Sequence, residues 1–212
     1  MAKITGLEAA SELPPKVLQI YEAVEKLIMD GEDINGVSVS TITETAGIGK
    51  GTAYDYFETK DEIIAYSLLY QIRCLAEELR EMFSVEDTFK SQIGKCLREI
   101  EQQKEKQNSF LRFVHIMTAN SGYCRLVKEK MEQEEMKSYL PMQVFEDIIV
   151  AAKERGEVKQ DIPVEYAIYA VFSKLMTYMI SFNACESFRN QSEKLQGYFY
   201  QSILDELCEK KA

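Results

Sequence analysis

The chain has 212 residues, of which 46 % are hydrophobic and 28 % are charged, and it contains only ten Gly and four Pro. This composition can bury a sizeable core, and it excludes a collagen-like, disordered or loop-rich all-β chain. The 25 basic and 35 acidic residues give a formal net charge of −10, which taken alone argues against nucleic-acid binding.

Residues that carry metal or acid–base chemistry are scarce. The five cysteines show no CxxC spacing, so we expect reduced thiols rather than a disulfide framework or a zinc site. His115 is the only histidine, and Arg112 occupies the position that a di-iron Glu-x-x-His motif would need. No apolar run could span a bilayer, and the N-terminus lacks the apolar core of a signal peptide. We therefore expect a cytoplasmic protein that is not an enzyme, needs no metal or cofactor and has no membrane partner.

Hydrophobic residues recur at helical spacing from the first proline pair onwards. They predict a helix over about 15–30, followed after a loop by two short helices over about 39–46 and 50–56. Ser38 is expected to cap the first short helix, and Gly47 to turn the chain between the two in a left-handed conformation.

The rest of the chain continues the same periodicity. Thr59-Lys60-Asp61-Glu62 matches a capping box in which Thr59 and Glu62 bond reciprocally at a helix start. The further helices are predicted over about 85–105 with Ser84 as cap, 109–119, 121–156 with a break at Pro141 and an end at Gly156, 164–185, and 187–209. No segment shows strand alternation, so the sequence predicts an all-α fold of about nine helices.

Residues 37–64 carry the functional information. Two short helices around a glycine turn, with a long helix before them, indicate a helix-turn-helix unit. Its small core would consist of Val39, Ile42, Ile48, Ala53 and Phe57. The second short helix is polar, as a helix that enters the major groove of DNA must be.

The same run resembles the DNA-binding domain of the TetR (tetracycline-repressor-like) regulators over about residues 15–65. The matching positions are Ser38-Val39, Ile42, Ala46-Gly47-Ile48, Gly51, Tyr54, Tyr56-Phe57, Lys60 and Ile63. Two positions depart from the family pattern. Thr43 replaces a preferred alanine, and Gly49 replaces a common capping serine, so we expect slightly poorer packing and a less firmly capped recognition helix.

The resemblance implies a DNA-binding domain over 1–60 and an effector-binding and dimerisation domain over 61–212. In the first domain it implies that Ser38 and the opening turn of its helix contact phosphate, and that Ser40 and Thr41 reach the edge of the groove. It implies that Lys50, Gly51 and Thr52 at the start of the recognition helix read bases. Contacts with the DNA backbone are implied for Tyr54, Tyr56 and Lys60. Asp55 would repel phosphate if it faced DNA, so we expect it to point away or to accept from a cytosine amino group.

In the second domain the resemblance implies dimerisation through the last two helices. The segment 164–182 agrees with this, since it is apolar around much of its circumference. Aromatic and Met side chains that could line an effector pocket are Phe110, Phe113, His115, Met117, Tyr123, Phe172 and Met176, although such a stripe is more often plain core.

The sequence therefore predicts a homodimeric, ligand-responsive transcriptional regulator, most simply a repressor. It would bind a near-palindromic double-stranded DNA operator and an unknown small-molecule effector. The alternative is a helical ligand-binding or adaptor protein that no longer reads DNA, and the even acidity of the chain is its support.

Overall fold

The computed structural model describes residues 3–6, 8, 10–84, 87–102 and 121–209. Within these residues the fold is helical, and its one β feature is an isolated bridge between Val158 and Cys208. This part of the chain contains eleven α-helices, of which nine have seven or more residues and two are single turns of four. The all-α prediction is confirmed.

The helices are numbered here in chain order and follow a short 3-10 turn at Ala10–Glu12. They are α1 (Pro15–Met29), α2 (Val39–Thr45), α3 (Lys50–Tyr56), α4 (Lys60–Met82), α5 (Phe89–Gln102), α6 (Gly122–Met131), α7 (Glu134–Lys137), α8 (Pro141–Glu154), α9 (Val164–Ala184), α10 (Glu186–Arg189) and α11 (Ser192–Leu207). The helix predicted over 109–119 lies outside the described residues.

The chain divides into two compact units. Of the described residues, unit 1 contains 3–76 and 121–140, and unit 2 contains 77–102 and 141–209. The boundary predicted at residue 60 concerns function rather than compactness, and it stays a prediction.

Unit 1 is built around the apolar face of α1, which packs against α2 and α3. Val17, Ile20 and Val24 on this face are fully buried. The predicted helix-turn-helix core is confirmed, because Val39, Ile42, Ala53 and Phe57 are buried and Ile48 packs partly buried against them.

Unit 2 is centred on α9, which packs against α5, α8, α10 and α11. Tyr178 in its C-terminal half is fully buried, and its ring contacts those of Phe182, Phe188 and Phe199. An aromatic cluster therefore holds the last three helices of this unit together.

The turn signals around α2 are confirmed by the structure. The Ser38 Oγ accepts a hydrogen bond from the Thr41 N–H at 3.1 Å, which caps α2. Gly47 has φ of 67°, a left-handed conformation that favours glycine. The capping box is half right: the Thr59 Oγ1 accepts from the Glu62 N–H, but the Glu62 carboxylate accepts from the Glu58 N–H.

Two predicted helix limits are wrong. The helix expected to follow a Ser84 cap begins at Phe89, where the Thr88 hydroxyl accepts from the Ser91 N–H. The helix predicted over 187–209 is two helices, α10 and α11, that meet around Asn190 and Gln191. The predicted break at Pro141 and end near Gly156 are confirmed, with Gly156 at φ of 69°.

Candidate nucleic-acid interface

Helix α3 lies on the helix-turn-helix core with its opposite side exposed to solvent. Ala53 is fully buried under it, which fixes the helix on the core. Lys50 and Gly51 are exposed, Thr52 is half-buried, and Tyr54 is 42 % exposed. The structure therefore brings the predicted base-reading residues together on one open surface.

The N-terminus of α3 has no side-chain cap, because Gly49 stands at the N-cap position. A Cβ at Gly51 would meet nothing within 4 Å, so the small size of this residue serves no packing inside the chain. Without a side chain, its backbone can approach another molecule closely. The role of Gly51 at a groove stays a prediction.

The opening turn of α2 is exposed beside its cap. Ser38 and Thr41 are exposed and Ser40 is half-buried, so all three predicted contact residues are accessible to some degree. The hydroxyls of Ser38 and Thr41 lie 2.9 Å apart and share a hydrogen bond. Thr43, the departure from the family pattern, is buried without an unsatisfied hydroxyl, since its Oγ1 donates to the Val39 and Ser40 carbonyls at 3.0 Å.

Lys60 lies at the start of α4 and holds the loop between α1 and α2. Its ammonium donates to the Asn35 carbonyl at 2.7 Å and to the Val37 carbonyl at 3.1 Å. An ammonium has three N–H donors, so these bonds leave the predicted phosphate contact geometrically open. Sequence reasoning missed Asn35, whose Oδ1 also accepts from the Tyr123 hydroxyl at 3.1 Å; a separation of 88 residues leaves no local signal for this contact.

Tyr56 and Asp55 differ from the other predicted residues of this surface. Tyr56 is only 7 % exposed, so its ring belongs largely to the core, and its predicted contact with the DNA backbone is less accessible than that of Tyr54. Asp55 is exposed on α3. Its carboxylate therefore contributes negative potential next to the surface that would approach phosphates.

The predicted effector residues are only partly within the described residues. Phe110, Phe113, His115 and Met117 lie outside them. Tyr123 is 2 % exposed in the core of unit 1, which matches the interpretation as plain core. Phe172 and Met176 are half-buried on α9 in unit 2.

No group of three His, Cys, Asp or Glu side chains in the described part of the chain could hold a metal ion. Among the described helices, none is long and apolar enough to cross a membrane.

The surface just described lies in a segment that is similar to a known protein family. The family model for bacterial regulatory proteins of the tetR family matches residues 23–66, which include α2, α3 and the start of α4. A search of curated protein sequences found no match to the chain.

Solved structures resemble the chain over nearly its whole length at low sequence identity. A TetR-family transcriptional regulator from Mesorhizobium loti MAFF303099 is 17 % identical with a TM-score of 0.68, and the match covers 95 % of this chain and 100 % of that one. The transcriptional regulator FadR from Bacillus subtilis, solved in complex with stearoyl-CoA, is 18 % identical with a TM-score of 0.64 over 89 % and 95 %.

A third structure is NalD, the secondary repressor of the MexAB-OprM multidrug efflux pump in Pseudomonas aeruginosa. It is 17 % identical with a TM-score of 0.61, and the match covers 92 % of this chain and 97 % of that one. Its helix-turn-helix is thus similar to the DNA-binding segment of the tetR family of bacterial regulatory proteins over residues 23–66, and the chain has the fold of solved TetR-family transcriptional regulators.

Proposed function

We propose that this protein is a homodimeric transcriptional repressor that binds a near-palindromic DNA operator and is released from it by a small-molecule effector. The observation that carries the proposal is the open surface of α3. Lys50, Gly51 and Tyr54 are exposed there and Thr52 is half-buried, on a helix fixed from below by Ala53. This is the geometry with which a recognition helix enters a major groove.

The acidity of the chain limits how much of its DNA affinity can come from contacts with phosphates. Residues 1–60 contain five Lys and ten Asp or Glu, so few phosphates can be neutralised per subunit. Non-specific affinity depends mainly on that neutralisation and should therefore be weak. A useful affinity then requires base contacts and two subunits that bind together, which is the reason for proposing a dimer and a near-palindromic operator.

The proposed dimer interface lies on α9 and α11 of unit 2. Large apolar side chains are exposed on both helices, with Tyr166 at 53 %, Tyr169 at 65 % and Tyr198 at 63 %. Apolar surface of this kind is typical of a site that a partner covers. Two other apolar residues of these helices are unsuitable for testing the interface. Leu175 is only 7 % exposed, and Phe199 belongs to the aromatic cluster around Tyr178, so a charge at either position would damage the subunit itself.

The effector is proposed to bind in the part of the chain after residue 60. FadR, which has the same fold, was solved with stearoyl-CoA, so long-chain acyl-CoA thioesters are the first probes to test. To reverse operator occupancy from 99:1 to 1:99, an effector must favour one form of the protein by about 5.5 kcal/mol. Binding of the effector must lower the affinity for the operator by the same factor by which the operator lowers the affinity for the effector.

The experiment that tests the proposal is selection of bound fragments from genomic DNA, followed by titration of the selected site and a scrambled site at one salt concentration. We expect a near-palindromic consensus and a dissociation constant at least about a thousandfold lower on the selected site. No enrichment, or equal affinity for both DNAs, would instead support a helical ligand-binding or adaptor protein.

A further inference from the structure

The N-terminal arm, defined here as residues 3–6 and 8, lies against the C-terminal end of α3. The Lys3 ammonium donates to the Tyr54 carbonyl at 2.6 Å and to the Phe57 carbonyl at 3.0 Å. The Ile4 N–H donates to the Tyr56 carbonyl at 3.0 Å. Three carbonyls at this helix end are thus bonded by two consecutive residues of the arm.

These bonds meet a need that α3 cannot meet alone. The last carbonyls of any helix lack intrahelical partners and carry the negative end of the helix dipole, where a cation is stabilising. With seven residues, α3 has only about two turns and little stability of its own. Contacts at its end therefore determine whether the last turn, which includes Tyr54, stays formed.

The arm is itself held in a fixed shape by Glu8. The Glu8 carboxylate accepts from the Thr5 N–H at 2.7 Å, the Thr5 hydroxyl at 2.9 Å and the Gly6 N–H at 3.0 Å. Gly6 has φ of 81°, and a Cβ there would lie 2.6 Å from a ring carbon of Tyr66. The turn at Gly6 therefore requires glycine for both its backbone angle and its close approach to that ring.

A buried arginine anchors the arm to the body of unit 1. Arg73 on α4 is 5 % exposed and donates to the Glu8 carbonyl at 2.6 Å. Its guanidinium lies 4.0 Å from the centre of the Tyr139 ring, an attractive arrangement for a cation over an aromatic face. Ile4, 8 % exposed, adds an apolar contact to the core.

We propose that the N-terminal arm is a clamp that positions the recognition helix for DNA, and that Lys3 acts through the end of α3 without touching the operator. The proposal rests on the function proposed above, because α3 must first be the recognition helix. Lys3 is a positioning residue and determines how well α3 keeps the geometry that its reading residues need.

The competing interpretation is that Lys3, which is exposed, binds a DNA phosphate. The two interpretations differ in the salt dependence of binding. A lysine that neutralises a phosphate contributes about 0.9 to the slope of log affinity against log salt concentration, whereas a positioning lysine contributes nothing. They also differ in the free protein, where only a clamp alters the recognition helix.

The first measurement is hydrogen exchange of the amides of residues 54–57 in the full chain without DNA. In Lys3→Met we expect exchange about fivefold faster than in the parent protein, because the carbonyls of the last turn lose their partner. Lys3→Arg should restore slow exchange. Lys128→Met removes the same charge from an exposed position on α6 and serves as the matched control. Unchanged exchange in Lys3→Met would overturn the proposal.

The second measurement is operator affinity across a salt series. Lys3→Met should weaken operator binding about fivefold with an unchanged slope, and scrambled DNA should be affected far less. A slope reduced by about 0.9 per subunit would identify Lys3 as a phosphate contact and overturn the positioning role. If the parent protein binds no DNA, the proposed function fails, and the exchange experiment still decides whether the arm holds α3.

Discussion

Helices α3 and α9 carry the two proposed interfaces of this protein, and they are opposite in length and polarity. Helix α3 has seven residues and buries only Ala53 and Tyr56, whereas α9 has 21 residues and buries eight. The exposed side of α3 has one large ring, Tyr54, among polar and small residues, whereas that of α9 presents Tyr166, Tyr169 and Ile180. One surface suits the edges of bases and the other suits a protein partner.

The two helices are also stabilised in different ways. Eight buried residues hold α9 in place along its length, and the bonds at its C-terminal end come from nearby in the chain, since Arg189 of α10 donates to the Phe182 and Asn183 carbonyls. Helix α3 depends on contacts from a distant part of the chain, since Lys3 donates to the Tyr54 and Phe57 carbonyls at its end and the Ile4 N–H donates to the Tyr56 carbonyl. Single substitutions in unit 1 should therefore act through this support, and those on α9 through assembly.

The largest effect is expected from a substitution that removes a side chain from the core under α3. Phe57 is fully buried, and its ring contacts those of Tyr21 and Tyr66. Phe57→Ala should cost about 3–5 kcal/mol of unfolding free energy because it leaves a cavity in this small core. Denaturant titration followed by circular dichroism measures it. Phe199→Ala, in the aromatic cluster of unit 2, is the matched control. A Phe57→Ala protein with normal operator affinity would contradict the dependence of α3 on its core.

The next effect addresses the apolar surface of α9 and α11. Charge introduced by Tyr169→Asp and Tyr198→Asp together should convert a dimer of twice 24.4 kDa into a folded monomer, because the carboxylates would be buried at the interface. Sedimentation at micromolar concentration measures it. Met29→Asp changes another exposed apolar residue, on α1, and should leave the dimer intact. A parent protein that sediments as a monomer would refute the interface.

A smaller effect is expected on base discrimination by the exposed surface of α3. Lys50→Ala and Thr52→Ala should each lose about 1–3 kcal/mol of discrimination at one operator position per half-site, because these side chains can contact base edges. Affinities for operator and scrambled DNA, measured at one salt concentration, separate base reading from phosphate contact. Equal losses on both DNAs would show that neither residue reads a base.

Lys60 offers a direct contrast with Lys3, since both ammonium groups bond backbone carbonyls in unit 1. Lys60→Ala should weaken binding to all sequences and reduce the salt slope by about 0.9 per subunit, because Lys60 is predicted to contact a phosphate as well. Lys3→Met should leave that slope unchanged. A Lys60→Ala protein with the parent slope would restrict Lys60 to holding the Asn35 and Val37 carbonyls.

The smallest expected effect is the pH dependence of the arm. Partial burial raises the pKa of Glu8, but hydrogen bonds from Thr5 and Gly6 outweigh it and hold the pKa below its ordinary value of 4.5. A lowered pKa means that the ionised carboxylate stabilises the folded state above pH 4.5, and that this stabilisation is lost as the pH falls through the folded-state pKa. Glu8→Gln should thus be less stable than the parent at pH 7, and the difference should shrink in acid. A pH-independent difference would contradict this account.

Local signals explain why so much of unit 1 could be predicted. Ser38 needs only the N–H groups of the next turn, and Gly47 needs only its own backbone freedom. The spacing of Val39, Ile42, Ala53 and Phe57 identifies their buried side because helix periodicity is itself local. The predicted start of α5 is wrong because a hydroxyl residue marks a possible cap without excluding a later one, and the structure caps this helix with Thr88 instead of Ser84.

The sequence by itself determined an all-α chain, its helix-turn-helix and the outer side of α3 on which the predicted base-reading residues lie, because periodicity, caps and turns depend on neighbours within a few positions. Only the tertiary structure decided that Lys3 lies at the end of α3, that Lys60 bonds the Asn35 and Val37 carbonyls, and that Tyr56 is buried. These contacts join residues 23 to 54 positions apart. No local sequence pattern predicts such contacts, because only the complete fold brings residues so far apart in the chain together.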